Sequence, residues 1–464
     1  MTTSLECKNW SVTIKNSRKC SSNQNACDGC EFKEAPKSVV ELLNNNQIKD
    51  RNNRIADIKE SIHKGKAALV LGAGVSVPSG MPMWDELISK LLGYALQYDL
   101  LNDCLLHGST AEERKKFEEP IHLTQGMIDG NLCILGNVNT LESAEYVAQL
   151  CCDCNAEKWI QEKLPELSIK SMVSQLISSS DGPQDLIEKE QNKRTERGEE
   201  KYTDAELREP ENTANMNTMF AVANLMACDN GIHQAVTYNY DPLVQEHLMD
   251  LYSIPARSIL THPGRWNEYN DDTPNLRQFY HIHGFVCGNR HLKDCHDTDW
   301  ERVYPQETGP LVLSEDSYYR IEQREAYNWS SSIQSYFFNK YNCIFVGFSA
   351  EDYNFRRILR QMGDTLDGEG NAKTSHPWHY LILTVDGWVK DIYKAVCRAY
   401  WKSHKKVKED ASDQIGQDTK YLLQKVLASR EQYWVRFGIK PIWVTKDDIP
   451  GLLTGFLERS TEET

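Results

Sequence analysis

Five apolar residues in succession, Ala67-Ala68-Leu69-Val70-Leu71, run straight into Gly72-Ala73-Gly74. No polar residue alternates with them, so a strand here has no face to give to water and must be covered on both sides. The glycines that follow permit a turn too tight for larger residues. Strands buried on both faces are the strands of parallel sheets, and parallel pairing demands long crossovers, usually helices. Beyond the turn, Trp84, Leu87, Ile88, Leu91, Leu92 and Ala95 recur at helical spacing. The strand signal then returns at residues 235–239, 279–283, 343–348, 379–384 and 439–444. Helical segments fall between these strands, near 242–251, 331–338, 354–362 and 388–398. This alternation predicts an α/β fold, a mainly parallel sheet with helices on both faces.

The 464 residues leave room for more than that sheet. Residues 1–50 are polar, weakly patterned and rich in cysteine, and read as an N-terminal appendage. The α/β domain is assigned to 51–99 and 231–464. Residues 100–230 read as a mostly helical insertion after the first βα unit, with a charged, solvated loop near 181–215.

Bulk charge narrows the partners. With 67 acidic against 52 basic residues the formal charge is −15, which repels a phosphate backbone, so direct nucleic-acid binding is not expected. The chain has no apolar run long enough for a membrane span and no apolar leader at its start, so a cytoplasmic location is expected, with reduced thiols. Cys27-x-x-Cys30 with Cys7 and Cys20 has the donor count for one structural zinc. Their irregular spacing fits a loosely ordered, reduced tail better.

Four segments sit at the carboxyl ends of the expected strands, where open parallel sheets bind their ligands. Gly72-Ala73-Gly74-Val75-Ser76 can bring backbone amides up to a pyrophosphate, although the same glycines serve any tight strand-to-helix turn. Thr237-Tyr238-Asn239-Tyr240-Asp241 offers a short amide that orients a hydroxyl or a water, or else an Asx turn that ends the strand. In Tyr280-His281-Ile282-His283-Gly284, alternation puts both histidines on one face. His281, one pleat deeper, is expected to serve stability rather than turnover. Gly347-Phe348-Ser349 ends a strand in a small hydroxyl residue.

In this order the four segments resemble the sirtuin family. Gly72–Ser76 with Ser79-Gly80-Met81-Pro82-Met83-Trp84 is similar to its glycine-rich loop, Thr237–Asp241 to its T-x-N-x-D motif, His283-Gly284 to its catalytic His-Gly, and Gly347-Phe348-Ser349 to its late G-x-S segment. The run from Pro82 to Ile88 and the stretch after Ser349 resemble more closely the sirtuin-like domains of prokaryotic anti-phage defence proteins. Deacylases of the family carry a four-cysteine zinc ribbon between the His-Gly and G-x-S segments. Here Cys287 and Cys295 stand in its place.

The resemblance implies a Rossmann-like domain that takes NAD+ as substrate, without a catalytic metal. It casts Asn239 as the residue that orients ribose hydroxyls and the attacking water, and His283 as the proton acceptor. Asp241 falls to the nicotinamide carboxamide and Trp84 to the reacting ribose. Gly72, Ala73, Gly74 and Ser76 fall to the pyrophosphate, and Gly347 with Ser349 to the adenosine half. Cleavage through an oxocarbenium-like state would release nicotinamide and ADP-ribose. An NAD+ glycohydrolase that depletes NAD+ in abortive infection is therefore the expected function. The alternatives are an NAD-dependent protein deacylase and a non-catalytic sensor of NAD or ADP-ribose. A toxic hydrolase needs restraint, so the resemblance also implies a homo-oligomer or a partner protein, such as a hexameric DNA-translocase ATPase.

Overall fold

A computed structural model of the protein describes residues 4–7, 12–15, 31–32, 38–107, 110–129, 144, 169–207, 210–260, 275–286, 311–312, 329–348, 355–359, 378–404 and 411–458. Along the chain, a small antiparallel sheet comes first: β1 (Ser4–Cys7), β2 (Val12–Lys15) and β3 (Glu31–Phe32). Helix α1 (Asn45–His63) and strand β4 (Ala67–Leu71) follow. Then come α2 (Trp84–His107), α3 (Ala111–Ile128), α4 (Ile169–Ser178), α5 (Pro183–Glu196), α6 (Asp204–Leu207), α7 (Pro210–Ala214) and α8 (Thr218–Ala227). The later elements are β5 (Gln234–Thr237), α9 (Leu243–Tyr252), β6 (Ala256–Ile259), β7 (Arg277–His281), α10 (Trp329–Lys340) and β8 (Asn342–Val346). The last are β9 (His379–Thr384), α11 (Asp386–His404), α12 (Ala411–Val435), β10 (Ile439–Val444) and α13 (Asp448–Gly455).

The chain forms two compact units, Ala68–Phe337 and Met1–Ala67 with Phe338–Thr464. Seven strands, β4 to β10, pair in parallel, the Rossmann-like α/β arrangement. In the unit Ala68–Phe337 the order is β4-β5-β7-β6. β4 is buried throughout, as its unbroken apolar sequence requires. Helix α8 is buried along nearly its whole length, and Asn217 caps its start by accepting from Phe220 N at 3.0 Å. The fully buried Arg277 closes the other end, giving its guanidinium protons to the carbonyls of Met226, Ala227 and Asn275. The Met226 and Ala227 carbonyls, in the last turn of α8, have no partner inside the helix, so the buried cation satisfies them directly.

The other unit holds β10-β9-β8. Its core gathers Val39, Leu42, Leu43, Val389, Tyr393, Leu423, Leu427 and Trp443. Trp388 meets Trp443 edge to face, with ring centroids 5.6 Å apart. Helix α1 is started by a reciprocal pair: Asn44 Oδ1 accepts from Gln47 N at 3.0 Å, and Gln47 Oε1 accepts from Asn44 N at 3.1 Å.

Several expectations change in detail. The N-terminal stretch is not all appendage, because Val39, Leu42 and Leu43 are core residues and α1 begins at Asn45. The charged stretch from 181 carries helices α5, α6 and α7 rather than one loop. Asp185 starts α5 by accepting from Gly182 N at 2.9 Å, and Lys193 sits in its last turn, so charges that read as solvated loop complement the helix ends instead. Strands β5 and β7 end at Thr237 and His281, two residues short of their expected limits. Cys20, Cys27 and Cys30 lie outside the described residues, as does the side chain of Cys7. Among the described residues no helix is long and apolar enough to cross a membrane.

Candidate active site

Three strand ends of the unit Ala68–Phe337 build one polar cluster. After β4 the chain extends at Gly72, then makes a 3-10 turn over Ala73–Val75, with Val75 N donating to Gly72 O and Ser76 N to Ala73 O, both at 3.0 Å. A second such turn, Val77–Ser79, ends on Gly80 at φ +87, a left-handed conformation that glycine adopts without Cβ strain. The fold thereby turns the Ser76 hydroxyl inward, where it is 1% exposed. Ser79 O accepts from Asp181 N at 2.8 Å, which ties the start of the α5 segment to this loop.

Asn239 follows two residues after β5. Its side-chain nitrogen Nδ2 donates to Gly72 O at 3.1 Å and to Ser76 Oγ at 3.0 Å. Both amide protons are thus committed, and the side chain is locked against the glycine turn. Its main-chain N–H donates to Thr237 Oγ1 at 3.1 Å. Ser76 Oγ in turn donates to Asp241 Oδ1 at 3.0 Å, and Leu243 N donates to the same oxygen at 3.2 Å. Burial pushes the Asp241 carboxyl up to about 6. The hydrogen bonds from Ser76 and Leu243 work against that rise, while the nearby Glu246 adds to it.

His283 arrives from β7. Thr237 and His281 are register partners, so the two strands end together and Asn239 and His283 each stand two residues beyond the pair. Ile282 N still donates to Thr237 O at 3.1 Å. The chain then turns at Gly284, φ +93, so His283 sits on a turn rather than on the strand itself. Its ring is 5% exposed and meets the Tyr238 ring edge to face, centroids 4.9 Å apart. The Tyr238 hydroxyl donates to Gln334 Oε1, and Gln334 Nε2 donates to Ser330 O at 3.2 Å. Val312 is fastened to the same place. Its N–H donates to His283 O at 2.9 Å and its carbonyl accepts from the Tyr240 hydroxyl at 2.6 Å. Val286 N donates to Tyr240 O at 2.8 Å.

The structure therefore brings together Gly72, Ser76, Asn239 and Asp241, with His283 leaving the adjacent strand beside them. Ala73 and Gly74 form the turn. Trp84 is the first residue of α2 and is half-buried. Gly347 ends β8 with φ +64, and Ser349 lies outside the described residues. Tyr238, Gln245 and Gln334 carried no sequence signal as site residues, because each acts through a partner distant in sequence. The His281 ring, one pleat deeper, meets the main-chain carbonyl of Asn239.

A parallel α/β unit with amide, hydroxyl, carboxyl and imidazole groups at neighbouring strand ends has the form of a nucleotide-handling site. Residues 233–414 match the family model of the SIR2-like domain, so the chain carries a SIR2-like domain over this stretch. The match includes Asn239, Asp241, His283 and Gly347, and begins after the glycine turn and Trp84. No curated protein matches the chain. SIR2-like domains bind NAD and are commonly NAD-dependent enzymes, and the function here is NAD-related.

Proposed function

We propose that the protein is an NAD+ glycohydrolase, releasing nicotinamide and ADP-ribose. The observation that carries this reading is the convergence of Asn239 and His283 from paired strand ends of a SIR2-like domain. The leaving nicotinamide already departs as a neutral molecule from a positively charged substrate, so no metal or strong acid is needed to expel it. What is needed is a water, a base and a shielded place for positive charge on the sugar. Asn239 presents a fixed amide whose carbonyl end orients a ribose hydroxyl or the water. His283 accepts the proton that the water or hydroxyl gives up, as a neutral imidazole does near pH 7. Asp241, once ionised, supplies negative charge close to the developing cation and accepts from the carboxamide of the departing ring. The proposed physiological role is NAD+ depletion in anti-phage defence.

The test is purified full-length chain with NAD+, with and without an acyl-lysine peptide. Nicotinamide and ADP-ribose released without the peptide support the reading. Release that requires the peptide, with deacylated peptide as product, replaces it with deacylation. NAD+ bound but not cleaved replaces it with a sensor.

A further inference from the structure

Asn239 lies beyond the last residues of both β5 and its neighbour β7. A buried main-chain carbonyl past the end of a ladder must find its donor elsewhere. For Asn239 that donor is a side chain, since Nδ1 of His281 lies 3.1 Å from Asn239 O. A carbonyl only accepts, so Nδ1 carries the proton and Nε2 holds the lone pair. Nε2 meets the side-chain nitrogen of Gln245 at 2.7 Å, and the same nitrogen donates to Ser258 Oγ at 3.2 Å. An imidazolium would set an N–H against the N–H of Gln245, so these contacts require a neutral ring. Burial also drives the pKa of His281 down, to about 4, against the opposing effect of its bond to Asn239. The ring is fully buried, with Phe285 edge-on at 4.8 Å.

A continuous line of contacts thus runs from Ser258 on β6, through Gln245 on α9 and His281 on β7, to the peptide that follows Asn239. At the other end of the residue, the Asn239 side chain grips Gly72 O and Ser76 Oγ. We propose that His281 is a positioning residue for NAD+ cleavage, a role that rests on the reading above: through Nδ1–H it fixes the Asn239 peptide and so the aim of the Asn239 amide. Rotation of that peptide would swing the amide away from the glycine turn.

Two substitutions and one spectrum test this. His281→Asn keeps an amide nitrogen near the position of Nδ1, and His281→Leu keeps none. For folded variants, His281→Leu lowers kcat for nicotinamide release about a hundredfold while KM for NAD+ moves less than about threefold, and His281→Asn recovers to within about tenfold of wild type. Nitrogen-15 NMR of the full-length, histidine-labelled chain shows His281 as the neutral Nδ1–H tautomer at pH 7 and at pH 5. A folded His281→Leu variant with wild-type kcat overturns the proposal, and so does a proton on Nε2. A wild-type chain that releases no nicotinamide sinks the glycohydrolase reading instead. The position of His281 is then decided by the spectrum alone, where Nδ1–H supports it and Nε2–H overturns it.

Discussion

At the scale of single residues, two substitutions separate chemistry from scaffolding. His283→Ala leaves the main-chain bond to Val312 intact and removes the imidazole. We expect a folded protein whose nicotinamide release falls at least about a hundredfold, about 2.7 kcal/mol of transition-state stabilisation, read by single-turnover kinetics. Asn239→Ala should lose turnover to a similar extent, and it should lose more stability than His283→Ala. It removes the amide that donates to Gly72 O and Ser76 Oγ; Gly72 O keeps Val75 N, but the buried Ser76 oxygen loses this donor, which costs about 1–3 kcal/mol in a denaturant titration. Asp241 makes a prediction with a definite sign. Its carboxyl is raised to about 6 in the folded chain, so between that value and the ordinary carboxylate range the folded state holds a proton that the unfolded chain has released. Stability from this group is therefore greatest at low pH and falls as pH climbs from about 4 through about 6. Asp241→Asn keeps an acceptor for Ser76 and Leu243 without the buried charge. Thermal melts should show it level with wild type near pH 4 and more stable above pH 6, by on the order of 2 to 3 kcal/mol. A gap independent of pH would show that the carboxyl is not raised.

At the scale of elements, the strands were the most legible part. The unbroken apolar run of β4 and the β-branched and aromatic residues of β9 and β10 leave one conformation open, and those strands fall where the sequence puts them. The tips of β5 and β7 did not read correctly, because Asn239 and His283 continue a strand-like alternation after the ladder has ended. Their bonds run to the glycine turn and to Val312, which no local pattern announces. Strand β6 carries no clear strand signal because Arg257 and Ser258 interrupt its apolar character, although Ser258 is buried and bonded to Gln245. The charged stretch misread as loop shows the same limit, since its charges serve helix ends. The tie between Ser79 and Asp181 gives a prediction at this scale. A Cβ at Gly80 would approach Asp181 Oδ2 only to 4.0 Å, so space is available and the penalty is conformational. Gly80→Ala, held at φ +87, should cost about 1–2 kcal/mol in a chemical denaturation curve. A larger loss would mean that the loop and the α5 segment separate.

At the scale of the whole molecule, ligand linkage offers a check that does not depend on turnover. NAD+ at about a hundredfold over its Kd should stabilise His283→Ala by about 2.7 kcal/mol in thermal shift, because binding draws on the folded state alone. The same titration with duplex DNA should produce no shift at moderate salt, given the formal charge of −15. Restraint of an NAD+-depleting enzyme is proposed to come from self-association or from a partner chain, and mass measurement in solution at rising concentration tests the first. Tyr240 couples the two strand tips of the site. It receives Val286 N at its carbonyl and gives its hydroxyl to Val312 O, so Val286 and Val312 are both held to the same residue. Because Val312 N also donates to His283 O, this one residue beyond β5 ties the turn that carries His283 to the tip that carries Asn239, so the two strand ends move together.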